Sequence, residues 1–216
     1  MNNRHKNCRK LSIFTHIHAV IAFKGKLVRS QSVRAAFTVL FCSCLLFLFM
    51  SYGKTAQSQQ SVSINGGDEW HYMKGVPTPV RSWTHKGFDD SDWQKGPTGL
   101  GYGRSGVKTY MHDMKGSYKR VYARKKFSLD NPKNVKKMAL SLVCDGPFVA
   151  YVNGIEVIRN PVGFSPPEGK SPEYLDLSGF IHELLPGENV FSVQCDNDSI
   201  QSNDFLFIPT FEIHSR

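Results

Sequence analysis

The sequence predicts an all-β fold, an antiparallel β-sandwich preceded by an apolar leader helix. Three observations predict it. From Trp70 onward, short apolar runs rich in β-branched and aromatic residues recur every roughly 8–15 positions, with Gly, Pro and Asn between them. No long stretch carries a 3.6-residue period. Asn153-Gly154 separates FVAYV (148–152) from IEVIR (155–159), the pattern of a type I′ hairpin, whose two central residues both need φ > 0.

The leader comes first. Residues 1–56 contain nine of the 27 Lys and Arg and none of the 18 Asp and Glu, so the net charge of +9 belongs to them and residues 57–216 are formally neutral. Nothing electrostatic is left in the folded part to attract a polyanion, so nucleic acid is not an expected partner. Residues 35–52 (AAFTVLFCSCLLFLFMSY) are apolar and uncharged, with Arg34 before them and small, polar residues after. These are the parts of an export signal, although the basic region before them is long for one. The alternative is an uncleaved membrane tether through 35–52, because about 18 apolar residues approach the length of a span. Either reading puts residues 57–216 outside the cytoplasm, as a secreted, periplasmic or membrane-anchored domain.

Residues 57–67 (QSQQSVSINGG) read as a polar linker, and 68–216 as the sandwich. VYARKKFSL (121–129) is the first clear strand, closed by Asn131-Pro132, and MALSLVC (138–144) is the next, turned by Asp145-Gly146-Pro147. The Asn-Gly hairpin follows. The prolines of 160–172 bar a helix or central strand there. SGFIHELL (178–185) suits one or two helical turns with Ser178 as N-cap and Pro186-Gly187 as the stop. NVFSVQC (189–195) and FLFIPTFEI (205–213) are the last strands. Pro209 suggests an edge or bulged position for the final one. Cys144 and Cys195 each close a strand-like run; in an oxidising space they can bridge if their Cα atoms come within about 7 Å. Two buried free thiols are the other reading.

A family resemblance rests on Trp83-x4-Phe88-Asp89-Asp90-Ser91-x-Trp93 followed by Gly96-Pro97-x-Gly99-Leu100-Gly101-Tyr102-Gly103. It continues through Tyr122-x-Arg124-Lys125-Lys126-Phe127, Asp145-Gly146 and Val149-x-Tyr151-Val152-Asn153-Gly154-x-Glu156-Val157-x-Arg159. It closes with Pro186-Gly187-Glu188-Asn189-Val190 and Ser202-x-Asp204-Phe205. In this order the pieces resemble galactose-binding-like jelly-roll modules, including the sugar-binding domain of β-galactosidases and related appendages of secreted bacterial proteins. The resemblance spans roughly 83–213 and implies a jelly-roll sandwich, carbohydrate or a cell-surface glycan as partner, and no catalysis by this module. Where the family often has two aspartates before a glycine, this chain has Cys144-Asp145-Gly146, which removes a metal or sugar contact and is consistent with a bridge to Cys195.

The motifs that could carry chemistry are few. Asp89, Asp90 and Asp92 could offer oxygens to a structural calcium ion, but their spacing is not an EF-hand's, and capping a short helical turn at 89–95 beneath Trp93 is the preferred reading. Gly101-x-Gly103-x-x-Gly106 matches a dinucleotide fingerprint by letter, with no helix predicted behind it, so its glycines are read as a tight loop. No G-x-S-x-G elbow or H-E-x-x-H pair occurs, and no cofactor is expected. His112, Asp113, Asp196 and Asp198 suggest a hydrolase only by residue type. A sugar site needs an aromatic plate and fixed polar groups around it. The stretch 102–124 is rich in both, and strand parity puts Tyr118, Arg120, Tyr122 and Arg124 on one face. Tyr102, Tyr110, His112, Arg120 and Asp145 are the candidate ligand-binding residues, and Trp70, Trp83 and Trp93 are read as packing residues. The expected function is therefore exported, non-catalytic recognition of carbohydrate. The rival expectations are a structural or protein-interaction module at the cell surface and a small glycoside hydrolase.

Overall fold

A computed structural model describes residues 61–75, 77–166, 172 and 174–215. The chain divides into two units, Met1–Gln57 and Ser58–Arg216, and every described residue belongs to the second. The predicted leader helix, export signal and membrane tether lie outside the described residues. Among the residues described, no helix is long and apolar enough to cross a membrane.

Among the described residues, twelve strands build two sheets: β1 (Ser61–Ile64), β2 (Glu69–Lys74), β3 (Gln94–Pro97), β4 (Leu100–Tyr102), β5 (Thr109–Tyr110), β6 (Arg120–Leu129), β7 (Val135–Cys144), β8 (Phe148–Val152), β9 (Ile155–Asn160), β10 (Tyr174–Asp176), β11 (Gly187–Asp196) and β12 (Phe205–Ser215). The first sheet runs β10-β7-β12-β4-β5, with β1 also beside β12; the second runs β3-β2-β6-β11-β8-β9. Every pairing is antiparallel except β4 with β5.

Alternation along the strands decides which face is buried. In the second sheet Val121, Ala123, Phe127 and Leu129 of β6 point inward with Phe191, Val193 and Cys195 of β11. Opposite them stand Leu140 and Leu142 of β7 and Phe205, Phe207, Phe211 and Ile213 of β12. Aromatic contacts join the layers: Trp70 meets Phe207 edge-on at 5.9 Å, and Phe191 stacks on Phe211 at 4.3 Å. The two sheets thus form a sandwich around one apolar interior.

Cys144 at the end of β7 and Cys195 near the end of β11 are joined in a disulfide, with Cα atoms 6.3 Å apart. The bridge therefore links one sheet to the other, next to Asp145 and Asp196. The Asn153-Gly154 turn has φ of 51° and 96°, both positive as a type I′ turn demands.

Four expectations need correction. Residues 61–64, assigned to the polar linker, form β1 along β12, and Ile64 is buried in the core; the alternation Val62-x-Ile64 was too short to stand out against its polar neighbours. Pro209 lies in the middle of a central strand. It faces Leu142 of β7 on one side, and on the other it falls between β4, which pairs with 205–207, and β1, which pairs with 211–214. A missing N–H costs nothing in that gap. Ser178 does not cap the turn at Ser178–Glu183, which is 3-10; its hydroxyl accepts from Met138 N at 3.2 Å instead. Residues 89–95 form no helix. Asp89 accepts from Ser91 N at 3.0 Å in a local turn, and Trp93 N donates to Asp90 O at 3.1 Å.

Replacing both cysteines (Cys144→Ser with Cys195→Ser) is expected to lower the unfolding free energy by about 2–5 kcal/mol, since a cross-link of this loop length restricts the unfolded chain. Denaturant titration with and without reductant checks this: reductant brings the wild type down to the double variant and leaves the variant unmoved.

Candidate functional site

The outward face of the second sheet carries the polar chemistry. The register aligns His71, Arg124, Ser192, Tyr151 and Glu156 in one row across β2, β6, β11, β8 and β9, and Met73, Tyr122, Gln194, Val149 and Arg159 in the next. Arg120 and Asp196 face each other one step further along.

Part of this face is covered. Arg124 is 1% exposed, a full charge beneath the segment 81–93. Its Nε donates to Asp90 Oδ2 at 2.7 Å, and its Nη1 donates to the carbonyls of Trp83 and His85. The ring of Phe88 lies 5.0 Å from its guanidinium carbon, within cation–π range. Burial pushes the Asp90 carboxyl up, but the hydrogen bond and charge of Arg124, with His71 and Lys126, outweigh it and hold the group below the ordinary carboxylate range. With the backbone clamped in this way, Trp83 packs on Trp93 at 6.0 Å, Tyr122 at 5.1 Å and Tyr151 at 5.8 Å. His85 reaches the tip of the Asn-Gly hairpin, where a Cβ on Gly154 would lie 2.7 Å from its Nε2.

Beyond Tyr122 and Tyr151 the face is open. A cleft of about 250 Å3 is lined by Arg120, Gln194, Asp196, Arg159 and Asn160, with Pro147, Val149 and Pro161 supplying apolar surface. Arg120 meets Asp196 in a bidentate pair, Nε to Oδ1 at 2.6 Å and Nη2 to Oδ2 at 2.7 Å, and this hydrogen bonding raises its already high pKa. Gln194, with its carbonyl oxygen toward Arg120, accepts from both of those nitrogens at 3.3 Å. Arg159 makes a second bidentate pair with Glu156, at 2.9 and 2.7 Å. The cleft thus sets donors beside acceptors on an apolar floor, with each local positive charge matched by a carboxylate.

The five candidate residues are not gathered into one site. Arg120 lines the cleft. Tyr110, 61% exposed, stacks on the exposed His112 at 5.1 Å with an 8° tilt, while Met111 and Met114 beside them drop into the core. Neither ring lines the cleft. Tyr102 is buried; its hydroxyl donates to Ser202 O at 2.9 Å and accepts from Asn197 at 3.3 Å, so its ring is a wall of the core and not a plate for a sugar. Asp145 accepts from Arg104, Ser165 Oγ and the Leu206 N–H at 3.0, 2.6 and 2.6 Å, tying four segments together. From sequence, a carboxylate beside a glycine turn has the same appearance whether it contacts a sugar or ties loops together.

Two other expectations resolve in detail. Arg120, Tyr122 and Arg124 do share a face, but Tyr118 precedes β6 and donates its hydroxyl to Asp113, which Lys74 also holds. Gly103 and Gly106 have φ of 77° and 89°, as a tight loop needs, and no helix follows them. Among the described residues no three His, Cys, Asp or Glu side chains are grouped to hold a metal ion. Arg159, Gln194 and Asn160, which line the cleft, and Glu156, which pairs with Arg159, were not among the residues marked from sequence. Strand alternation would separate Glu156 from Arg159, and only the irregular pairing of β8 with β9 brings them together.

Asp90→Asn is expected to cost about 3–5 kcal/mol at neutral pH, because it leaves the Arg124 charge buried without its counter-ion. The folded pKa of Asp90 lies below its unfolded value, so its contribution is complete above that value, about 3.9, and is lost as pH falls through the folded one. Urea titrations at successive pH values therefore show the gap between wild type and variant closing in acid; a gap independent of pH contradicts the assignment.

Against known proteins, no family model and no curated protein matches the chain. Solved structures do. A β-glucuronidase of Bacteroides uniformis superposes with a TM-score of 0.51 at 17% identity, over 71% of this chain and 18% of that one. Bacteroides uniformis β-glucuronidase 2, covalently bound to cyclophellitol-6-carboxylate aziridine, gives 0.50 at 17% over the same shares. A glycosyl hydrolase family 2 member from Bacteroides cellulosilyticus gives 0.49 at 16%, over 70% and 20%. At such identities the likeness is one of fold. This chain spans about a fifth of the length of each of these glycosidases.

Proposed function

We propose that this protein is an exported, non-catalytic carbohydrate-recognition module of the galactose-binding-like jelly-roll type, and that the ligand sits in the cleft between Arg120 and Arg159. The observation that carries the reading is the lining of that cleft. A pyranose has an apolar ring face and a rim of hydroxyls, each both donor and acceptor. Pro147, Val149 and Pro161 match the first; the guanidinium and carboxylate groups of Arg120 and Asp196, with Gln194 and Asn160, match the second.

Two further observations support the reading. The fold is shared with segments of chains named as glycosidases, which act on carbohydrate, although this chain corresponds to only a small part of each. The Cys144–Cys195 disulfide suits an oxidising compartment, in agreement with the export-like leader. The exposed Tyr110–His112 pair, the plate expected from sequence, takes no part in this proposal.

Affinity electrophoresis of the full chain in gels containing neutral polysaccharides tests it. Gln194→Ala and Arg159→Ala remove groups that the fold does not need, and each is expected to weaken retention about tenfold, the loss of one charge-assisted or buried hydrogen bond. Tyr110→Ala is expected to bind as the wild type does. Retention lost only in Tyr110→Ala would move the site to the aromatic pair.

A further inference from the structure

We infer that Glu156 is a charge filter: by occupying the fork of Arg159 it makes the cleft select uncharged sugars and reject acidic ones. This rests on the recognition reading above and adds a specificity-determining residue to it.

Glu156 and Arg159 are three apart on one strand, and regular alternation would send them to opposite faces. They meet because the pairing of β8 with β9 slips: Val149 faces Arg159, Ala150 faces Ile158, and Tyr151 faces Glu156, leaving Val157 as an extra residue. Val149 and Tyr151 share the outward face, so the bulge delivers both Glu156 and Arg159 to it. The result is a two-point pair, with Arg159 Nε donating to Glu156 Oε1 at 2.9 Å and Nη2 to Oε2 at 2.7 Å.

Stability does not explain this arrangement. The two side chains are 41% and 60% exposed, and an exposed ion pair adds at most about 1 kcal/mol to folding. Charge explains it better. The Nε–Nη2 fork is the geometry with which a guanidinium captures a carboxylate or sulfate. At the other side of the cleft Arg120 gives the same fork to Asp196, which is 5% exposed and cannot turn away. Both forks are therefore filled by the protein's own carboxylates. An acidic sugar entering the cleft finds both Nε–Nη2 forks taken and meets Asp196 in the wall with Glu156 beside Arg159, whereas a neutral sugar needs only the remaining N–H donors and carboxylate lone pairs. Of the two carboxylates, Glu156 is the exposed one, and removing its charge leaves Asp196 and the core untouched.

The test compares full-length wild type, Glu156→Gln, and Glu156→Gln combined with Arg159→Ala, by affinity electrophoresis in galactan, mannan, xylan and polygalacturonate at low and high salt. Circular dichroism confirms that the variants are folded. The expected result is retention of the wild type by at least one neutral polymer and none by polygalacturonate. Glu156→Gln then gains salt-sensitive retention in polygalacturonate, and the double variant loses that gain. Wild-type retention in polygalacturonate, or no gain in Glu156→Gln, overturns the filter and leaves the recognition reading standing. Absence of retention by any saccharide in every variant overturns the recognition reading and the filter with it.

Discussion

A guanidinium charge placed under a protein loop has to be answered by that loop, and in this molecule the requirement organises an entire face. Arg124 faces outward from β6, yet it is sealed from solvent by residues 81–93. Only a side chain with several donors in one plane can meet a carboxylate and two carbonyls at once and still offer a flat surface to Phe88. Because the loop is held at its backbone, its tryptophans fall on Tyr122 and Tyr151, and half of the outer face becomes a second, smaller apolar cluster. The other half stays bare. The cleft exists because the cover stops at Tyr151.

The disulfide does for the interior what Arg124 does for the exterior. It ties β7 to β11 beside the two residues, Asp145 and Asp196, that anchor the rim. Gly146 N donates to Asp196 O at 2.9 Å, and Asp196 N to Pro147 O at 2.9 Å, so Pro147 and Asp196 of the cleft are set by the backbone that the bridge holds. A cleft built on paired strands and cross-linked in this way is ordered in advance, which in the proposed function limits the entropy lost on binding.

Much of the framework was legible in the sequence because it is written in local signals. Positive φ at two adjacent positions has few solutions, and Asn153-Gly154 announced one of them. Phe205, Phe207, Phe211 and Ile213 share one parity, with Pro209 between them, and the inner face of β12 follows from that. Several of the misreadings depend on partners distant in sequence. Tyr102 and Asp145 carry the groups a sugar site would use, but Ser202, Asn197, Arg104 and Leu206 claim them first. Pro209 is harmless only because β4 ends before it and β1 begins after it. Regular alternation sends Glu156 and Arg159 opposite ways, and only the extra residue at Val157 reverses that.

The most direct measurement is amide hydrogen exchange of the full chain with and without a neutral polysaccharide that retains it. Added protection is expected only at 147–149, 158–161 and 194–196, with the segment around Tyr110 and His112 unchanged. Protection centred on 110–112, or spread evenly over the sandwich with none at the cleft, would contradict it.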